Sequence, residues 1–205
     1  FVQSQAFVEH FGLHAKFKPT HAPLQFDTSV VAGTNDVGAT YSYDDEYAWS
    51  GFTARDRIFE ILREVRDDAA LTLDLFAYDF SEPNIVDIML EIGKRARVIL
   101  DDAGLHHNVA KPEPEDQFEA LFAAKTGPGH ILRGNFDRYA HDKVIVVYRN
   151  GAPIRALTGS TNLSVTGIYV NSNHVLVFDD PKVAALYGQV FQTVWDQNVA
   201  AAPFM

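Results

Sequence analysis

Hydrophobic and polar positions follow two different periods along the chain after about residue 50. In FTARDRIFEILREVRDDA the apolar residues recur at helical spacing with charges on the opposite face, which predicts an amphipathic helix with Thr53 as its N-cap. LTLDLFAYDF and RVILDD have the composition of strands, and NIVDIMLEIGKRA between them returns to helical spacing. The order strand, helix, strand predicts a parallel pair of strands joined by a right-handed crossover.

The second half of the chain continues this alternation. QFEALFAA and KVAALYGQVFQTVWDQNVA have helical patterns, KVIVVY and NSNHVLVFDDP have strand patterns, and KTGPGHILRGNFDRYA has the composition of a long loop. Residues 1–50 carry scattered Gly, Pro, Asn and Asp, which predicts a short helix and an irregular arm. We therefore expect an N-terminal arm over residues 1–50 and an α/β domain over residues 51–205.

Composition and charge narrow the class of function. The 205 residues include no cysteine, which excludes a disulfide framework, a thiolate nucleophile and a Cys-ligated zinc site. The net charge of −10 argues against a protein that coats nucleic acid, yet residues 128–174 hold five basic side chains against two acidic ones. This distribution favours an enzyme that handles an anionic group at one place. Because no apolar run approaches ~18 residues and no signal-peptide pattern is present, we expect a soluble chain of undetermined compartment.

Most of the candidate chemistry lies in the segment HDKVIVVYRNGAPIRALTGSTN, residues 141–162. Alternate side chains of a strand share a face, so His141 and Lys143 are expected to project to the same side. Asn150-Gly151 lies between two apolar runs and predicts a two-residue hairpin turn, because both residues tolerate positive φ. The hairpin is expected to bring TGSTN beside HDK.

The register of this hairpin decides which side chains meet. A tight two-residue turn sets Lys143 opposite Thr158 and His141 opposite Ser160. Pro153 on the returning strand could add a bulge that shifts the pairing by one residue.

These residue types together suit a phosphate group. Lys143 supplies a positive charge, Ser160 and Asn162 can donate hydrogen bonds to non-bridging oxygens, and His141 can act as a nucleophile or proton carrier near neutral pH. Gly159 has no side chain, so we expect it to let a ligand approach the backbone.

His141-x-Lys143 followed by Gly159-Ser160-Thr161-Asn162 resembles the HKD motif of the phospholipase D superfamily. The flanking elements over about residues 52–197 resemble that family's catalytic half in order. The resemblance implies a mixed, mainly parallel sheet flanked by helices on both faces. Two departures stand out: Tyr148 occupies the position of the motif aspartate, and the interval from Lys143 to Gly159 is four residues longer than the pattern.

The resemblance also implies a mechanism. One histidine attacks phosphorus to give a phosphohistidine, a second protonates the leaving oxygen, and no metal or other cofactor is required. Lys143, Ser160 and Asn162 would stabilise the charge on phosphate. Asn173 occupies the position of a glutamate that orients the histidine in the nuclease branch, and its amide can still accept from an imidazole N–H. Because the chain holds one HKD motif, a second must come from a homodimer partner or from a missing half of a longer protein.

Three functions are compatible with this motif. We place a nuclease first, because Arg133 and Arg138 could hold a phosphodiester backbone while Phe136 or Tyr139 contacts a base. A phospholipase D-type lipid phosphodiesterase is the second reading, disfavoured because no basic interfacial helix is evident. The third is a non-catalytic phosphate-binding or interaction domain with a degenerate HKD site.

A different enzyme class would use the segment DDAGLHH. Its carboxylates and imidazoles follow a strand and could bind a divalent metal; they are Asp101, Asp102, His106 and His107. Adjacent pairs point apart, so one of each would serve at most, and a solvated loop is the favoured reading. We assign no metal ligand. His130 and His174 lie near the motif, and at least one is expected to be structural.

Overall fold

A six-stranded mixed sheet forms the centre of the structure, a computed structural model that describes residues 5–200. The strands of this region, in chain order, are β1 (Val31–Thr34), β2 (Thr40–Ser42), β3 (Leu71–Ala77), β4 (Ala96–Leu100), β5 (Ile131–Arg133), β6 (Val144–Arg149), β7 (Ala152–Gly159) and β8 (Val175–Phe178). The central sheet has the order β5-β4-β3-β6-β7-β8, and β1 and β2 form a separate antiparallel pair.

The helices are α1 (Gln5–Phe11), α2 (Tyr43–Asp67), α3 (Pro83–Ile92), α4 (Pro114–Thr126) and α5 (Pro181–Asp196). Local chemistry sets several of their ends. Pro83 and Pro181 stand at the first positions of α3 and α5, where a missing N–H costs nothing, and the Asp180 side chain caps α5. Among residues 5–200, no helix combines the length and the apolar character needed to cross a bilayer.

The sheet has a parallel half and an antiparallel half. β3, β4 and β5 run parallel, whereas β6 pairs antiparallel with β3, β7 with β6, and β8 with β7. The parallel ladders number two and the antiparallel ladders three, because α3 and α4 supply crossovers early in the chain and a tight turn joins β6 to β7. The predicted α/β class, with a mixed sheet flanked by helices, is confirmed. The expectation that its pairing is mainly parallel is not, since three of the five ladders of the central sheet are antiparallel.

Two hydrophobic layers cover the sheet. Leu73 and Leu75 of β3 face a large core that includes side chains of α2, α3 and α4. Phe76, which points to the opposite face, packs with Phe191 and Val194 of α5. The alternation along one strand therefore places helices on both faces of the sheet.

The β6–β7 hairpin has the predicted turn, with positive φ at Asn150 and Gly151, but not the predicted register throughout. The register shifts by one residue between Val147 and Tyr148, opposite the stretch that contains Pro153. Proline has no N–H to donate to the ladder, so the returning strand accommodates an extra residue there. The pairings of Lys143 with Thr158 and of His141 with Ser160 are therefore wrong, and the bulge alternative is the one observed.

The N-terminal region is attached to the domain by aromatic contacts. α2 begins at the N-cap Ser42 and leaves helical geometry at Phe52, directly before the predicted cap Thr53. Tyr47, in the first part of α2, stacks on Tyr169 with ring centroids 4.0 Å apart. α2 thus runs across the division at residue 50, which stays a prediction. The strands β1, β2 and β5 and a π-helical turn over Thr166–Val170 were not predicted.

Candidate active site

Four chain segments end or begin at one edge of the central sheet. β7 is antiparallel to β6, which is antiparallel to β3, so β7 runs in the same direction as β3 and β4. The segments that follow these strands therefore reach the same edge, and β6 starts there. They carry Tyr78 and Asp79 after β3, Asp101 after β4, residues 160–162 after β7, and residues 141–143 before β6. This edge matches the carboxyl-end position at which open α/β sheets bind ligands.

His141 and Lys143 both lie against the ring of Tyr78. The His141 and Tyr78 ring centroids are 4.4 Å apart at 68°, and Lys143 Nζ lies 5.0 Å from the centroid of the same ring. Lys143 Nζ also donates a 2.9 Å hydrogen bond to the His141 carbonyl. The two side chains therefore share one side of the segment. Burial lowers the pKa of Lys143, and the nearby charge of Asp79 opposes that shift.

Ser160 lies in a small network with the segment that precedes β8. Its hydroxyl donates to Asn173 Oδ1 at 2.9 Å and lies 3.1 Å from His174 Nδ1. The hydroxyl has a single hydrogen, so with Asn173 as its acceptor a hydrogen bond with His174 would be donated by Nδ1. Asn173 Nδ2 donates to the Gly167 carbonyl at 2.9 Å. Asn173 is thus placed beside Ser160, and an orienting contact with His141 stays a prediction.

Gly159 serves the packing of β7 on β8. Its φ is 145°, and an added Cβ would lie 2.2 Å from the His174 carbonyl oxygen. No other residue fits this approach, because the backbone atom cannot move aside as a flexible side chain could. The space that a side chain would need at residue 159 is thus filled by the neighbouring backbone, and a contact between Gly159 and a ligand stays a prediction.

Asn162 is held by a residue that the motif does not include. Its Nδ2 donates to Asp79 Oδ2, while its Oδ1 is buried without a hydrogen-bond partner among the described residues. The Asp79 charge also acts on Lys143. Tyr78 and Asp79 thus contact His141, Lys143 and Asn162, which joins the two pieces of the motif through the end of β3.

Asp79 continues into a buried chain of hydrogen bonds. Its Oδ1 lies 2.8 Å from His106 Nε2, and His106 Nδ1 lies 2.7 Å from Asp101 Oδ2. Asp101 Oδ1 accepts from the backbone N–H of Ala140 at 2.6 Å, the residue before His141. Burial lowers the pKa of His106, but the hydrogen bonds to Asp79 and Asp101 outweigh burial and raise that pKa to about 9.

Some residues of the metal hypothesis come together and others do not. His107 Nδ1 lies 2.7 Å from Asp116, so the adjacent pair His106 and His107 point apart as predicted. Ligand atoms of Asp79, His106 and Glu115 lie within 4.8 Å of one another, a spacing compatible with a divalent cation. Burial raises the pKa of Glu115 to about 7.

Arg133 holds the loop after β4. Its guanidinium donates to the carbonyl oxygens of Asp101 and His106 at 2.9 and 2.7 Å and pairs with Asp116 and Glu119, and its side chain is 9% exposed. All three of its side-chain nitrogens have partners within the protein. These partners are all within the protein, and a contact between Arg133 and substrate stays a prediction.

The other residues of the basic loop differ in exposure. Arg138 is exposed and Tyr139 is 48% exposed, with its ring centroid 6.3 Å from that of Tyr78. Phe136 is partly buried against Phe76 at 6.0 Å. Tyr139 therefore lies at the rim of the site, Arg138 is the exposed residue before it in the chain, and Phe136 contributes to the core. His130 Nδ1 contacts the Ala96 carbonyl at 3.2 Å, a structural role.

Sequence reasoning missed Tyr78 and Asp79 and gave His106 only a metal role. The signal was available in part, because LFAYDF and VILDD each end a strand with a carboxylate, and parallel strands bring their carboxyl ends to one edge.

Comparisons with known proteins bear on this arrangement. The family model described as "Cardiolipin synthase, PLD-like domain" matches residues 62–195. A curated relative, the mitochondrial cardiolipin hydrolase of Chlamydomonas reinhardtii, is 27% identical over 131 residues, which are 62% of this chain and 53% of that protein. The chain therefore spans about half the length of the curated relative it matches.

Two solved structures have a similar fold. Nuc from Salmonella typhimurium, a phospholipase D family member, has a TM-score of 0.52 at 23% identity, over 68% of this chain and 87% of that one. NucT from Helicobacter pylori has a TM-score of 0.54 at 14% identity, over 71% and 91%. These two likenesses concern the fold. The family match, which covers residues 62–195 and so more than half of the chain, shows that the chain belongs to the phospholipase D superfamily, in its PLD-like domain family.

Proposed function

We propose that the chain is a metal-independent phosphodiesterase that works through a phosphohistidine. The observation that supports this most is the placement of His141 and Lys143 on the Tyr78 ring, at the sheet edge where the segment of Ser160 and Asn162 emerges. The superfamily membership supports a phosphodiesterase at the level of reaction class.

The reaction has two displacements. An unprotonated nitrogen of one histidine attacks phosphorus, an N–P bond forms, and the ester P–O bond breaks as a second histidine, protonated, gives its proton to the leaving oxygen. Water then loses a proton to that second histidine and attacks phosphorus, which breaks the N–P bond. The products are an alcohol and a phosphomonoester, and both histidines return to their starting states.

Lys143, Ser160 and Asn162 would stabilise the charge that develops on the phosphate oxygens. The Ser160 hydroxyl and the Asn162 amide now donate to Asn173 and Asp79, so a phosphate would exchange those acceptors for its own oxygens. A fixed donor of this kind typically contributes about 10²–10³ in rate.

The second histidine would come from a twin subunit. His141 is exposed at the sheet edge, and the sequence provides one HKD motif. A two-fold axis through this edge would set two copies of His141 on opposite sides of one phosphate. A homodimer is therefore part of the proposal.

A nucleic-acid strand is the first substrate we propose. Tyr139 lies exposed at the rim and Arg138 is the exposed residue before it, so a ring could stack on a base while a guanidinium contacts a second phosphate. The chain has a net charge of −10, which favours a local contact over a long track along a duplex.

A lipid diester is the second candidate. The named relative is a cardiolipin hydrolase, and the loop after β4 exposes Leu105 by 71% and Val109 by 87%. Apolar side chains on a loop beside the site could enter a lipid surface.

The test uses the full chain in EDTA with bis-p-nitrophenyl phosphate, single-stranded DNA, RNA and cardiolipin vesicles. We expect turnover of the generic diester, which His141→Ala abolishes and the matched control His107→Ala preserves. An alkaline quench, under which phosphohistidine is stable, is expected to trap labelled phosphate on the wild type. Sizing is expected to place the activity in a dimer.

Several outcomes would contradict the proposal. Full activity in His141→Ala excludes the nucleophile, and loss of activity in EDTA excludes metal independence. Binding of diesters by a folded protein without turnover would instead establish the non-catalytic reading. Faster cleavage of vesicles than of DNA would replace the first substrate by the second.

A further inference from the structure

We propose that His106 is a positioning residue whose imidazolium ties the two halves of the catalytic motif together through the carboxylates of Asp79 and Asp101. We call the side chains of Asp79, His106 and Asp101 the His106 bridge. This inference rests on the proposed function, because positioning has a consequence for rate only where His141 and Asn162 act on a phosphodiester.

The His106 bridge reaches each half of the motif by one contact. At one end, Asp79 accepts a hydrogen bond from the Asn162 side chain. At the other end, Asp101 accepts from the N–H of Ala140, the residue directly before His141. Both carboxylates are bonded to the ring of His106, at 2.8 and 2.7 Å. A displacement of this ring would therefore move both ends, and a misplacement of about 1 Å can cost about 10²-fold in rate.

Charge explains why an imidazolium suits this position. The acidic groups that face His106 are Asp79, Asp101 and Glu115, and the charge of Asp79 also acts on Lys143. A neutral His106 has one N–H and could serve only one of its two carboxylates. With both nitrogens protonated, His106 donates to both and balances the charge of Asp79. The charge of Lys143 is then available for a phosphate.

The surroundings hold the ring in place. His106 is 4% exposed, and the ring of Tyr78 meets it edge-on with centroids 4.2 Å apart at 85°. The same Tyr78 ring contacts His141 at 4.4 Å. One aromatic side chain thus contacts both the buried ring of His106 and the exposed ring of His141.

A divalent cation at Asp79, His106 and Glu115 is the competing reading of the same residues. A histidine that ligates zinc does so through an unprotonated nitrogen about 2.0–2.1 Å from the metal. Nε2 of His106 can hold either the proton shared with Asp79 or a metal, and the 2.8 Å contact with Asp79 favours the proton. The two readings therefore differ in a measurable property, the protonation of Nε2.

The first test compares His106→Gln with the matched control His107→Gln, both as full chains in EDTA with bis-p-nitrophenyl phosphate. His107 is the adjacent histidine, half-exposed and paired with Asp116. We expect kcat of His106→Gln to fall by about 10–100-fold with KM changed less than about threefold. We expect the control to match the wild type. Because His106 acts through Asp79, Asp79→Asn combined with His106→Gln is expected to cost little more than the larger single loss. Wild-type kcat in a folded His106→Gln, or losses that multiply in the double variant, would overturn the proposal.

The second test needs no variant to be active. In the wild-type chain, nitrogen-15 NMR of the eight histidine side chains at pH 8 reports which rings carry two protons. The signal of His106 is the one that His106→Gln removes, or that Asp79→Asn, a change at a less buried residue, shifts. We expect His106 to be an imidazolium at pH 8. A neutral ring, or one zinc per chain by elemental analysis that Asp79→Asn removes, would overturn the proposal. If the wild type shows no turnover that depends on His141, the proposed function fails, while this measurement still decides the state of the His106 bridge.

Discussion

Tyr148 occupies the position of the motif aspartate. The close approach of Tyr148 to Gly188 predicts that Tyr148 has a packing role in this protein. Tyr148 lies at the end of β6 far from His141 and packs on the α5 face of the sheet. Its hydroxyl lies beside the Asp74–Arg97 ion pair, whose nitrogen and oxygen atoms approach to 2.7 Å. Gly188 of α5 faces it, and a Cβ added there would lie 2.7 Å from the Tyr148 hydroxyl.

Gly188→Ala therefore has two opposing effects. Alanine in a helix interior is favoured over glycine by about 0.8–1.0 kcal/mol. The new methyl group overlaps the Tyr148 hydroxyl, and overpacking of this kind costs about 1–3 kcal/mol. We expect a net destabilisation of about 0–2 kcal/mol in the wild-type background.

The sign is expected to reverse in Tyr148→Phe. Without the hydroxyl, the nearest ring atom of residue 148 lies 3.6 Å from the added Cβ, an ordinary van der Waals distance. The overlap then disappears and the helix preference of about 0.8–1.0 kcal/mol remains. Gly188→Ala should thus stabilise Tyr148→Phe, and the coupling free energy between the two positions should be about 1–3 kcal/mol.

Urea unfolding of the wild type, both single variants and the double variant measures this coupling. Each 1 kcal/mol corresponds to about 2–4 °C in Tm for a chain of this size, so thermal scans give a second readout. Phosphodiesterase activity is the control, and we expect kcat to stay within about twofold in all four proteins because Tyr148 lies away from the site edge. Equal effects of Gly188→Ala in both backgrounds would refute the packing argument, and a large loss of kcat in Tyr148→Phe would show that Tyr148 has a role in catalysis.

Three further predictions concern the site and its surroundings. Ser160→Ala is expected to lower kcat by about 10²–10³ with stability nearly unchanged, measured by steady-state kinetics and thermal unfolding; an unchanged kcat would remove Ser160 from the machinery. Arg133→Ala should lower the free energy of unfolding by about 3 kcal/mol because it leaves buried partners unpaired, whereas Arg138→Ala should leave stability unchanged and lower the salt dependence of single-strand binding by about 0.7 in log–log slope. Burial raises the pKa of Glu46 to about 7, and both its oxygens lack partners among the described residues. The folded state then binds this proton more tightly than the unfolded state, so the contribution of Glu46 to stability falls as pH rises from 4.5 to about 7. Glu46→Gln should raise Tm more at pH 8 than at pH 5, and an equal effect at both would contradict the burial argument.

Features that depend on the local pattern of residues could be predicted from the sequence. Helical and strand periodicities located most elements of the domain, and Asn150-Gly151 located the hairpin, because these signals arise from neighbouring residues. The register beyond Tyr148 was predicted only as the alternative with a bulge near Pro153. The shift near Pro153 depends on how one strand accommodates a missing donor, and a difference of one residue changes every pairing toward His141.

Contacts between distant segments could not be predicted from the sequence, for a different reason. Arg133 looked like a phosphate ligand because its neighbours in the chain are polar and basic, but its partners are the carbonyl oxygens of Asp101 and His106, about thirty residues earlier. Gly159 looked like an opening for a ligand, but the backbone of His174 fills the space that a side chain would need there. In both cases the partner is supplied by the tertiary fold, and residue type alone does not reveal it.

The free-energy cost of burying the charged groups of the His106 bridge indicates that the bridge serves the site and does not stabilise the fold. Asp101 is completely buried and His106 almost completely, and Glu115 lies close by. Taking several charges out of water carries a free-energy penalty that their mutual attraction often fails to recover. Apolar side chains of similar volume would fill the same space at lower cost, since the core on either side consists of aliphatic and aromatic residues. An apolar residue, however, could not accept the Asn162 amide or the Ala140 N–H, and both halves of the motif would lose their fixed partner. The buried carboxylates therefore provide two oriented hydrogen-bond acceptors, one for each half of the motif.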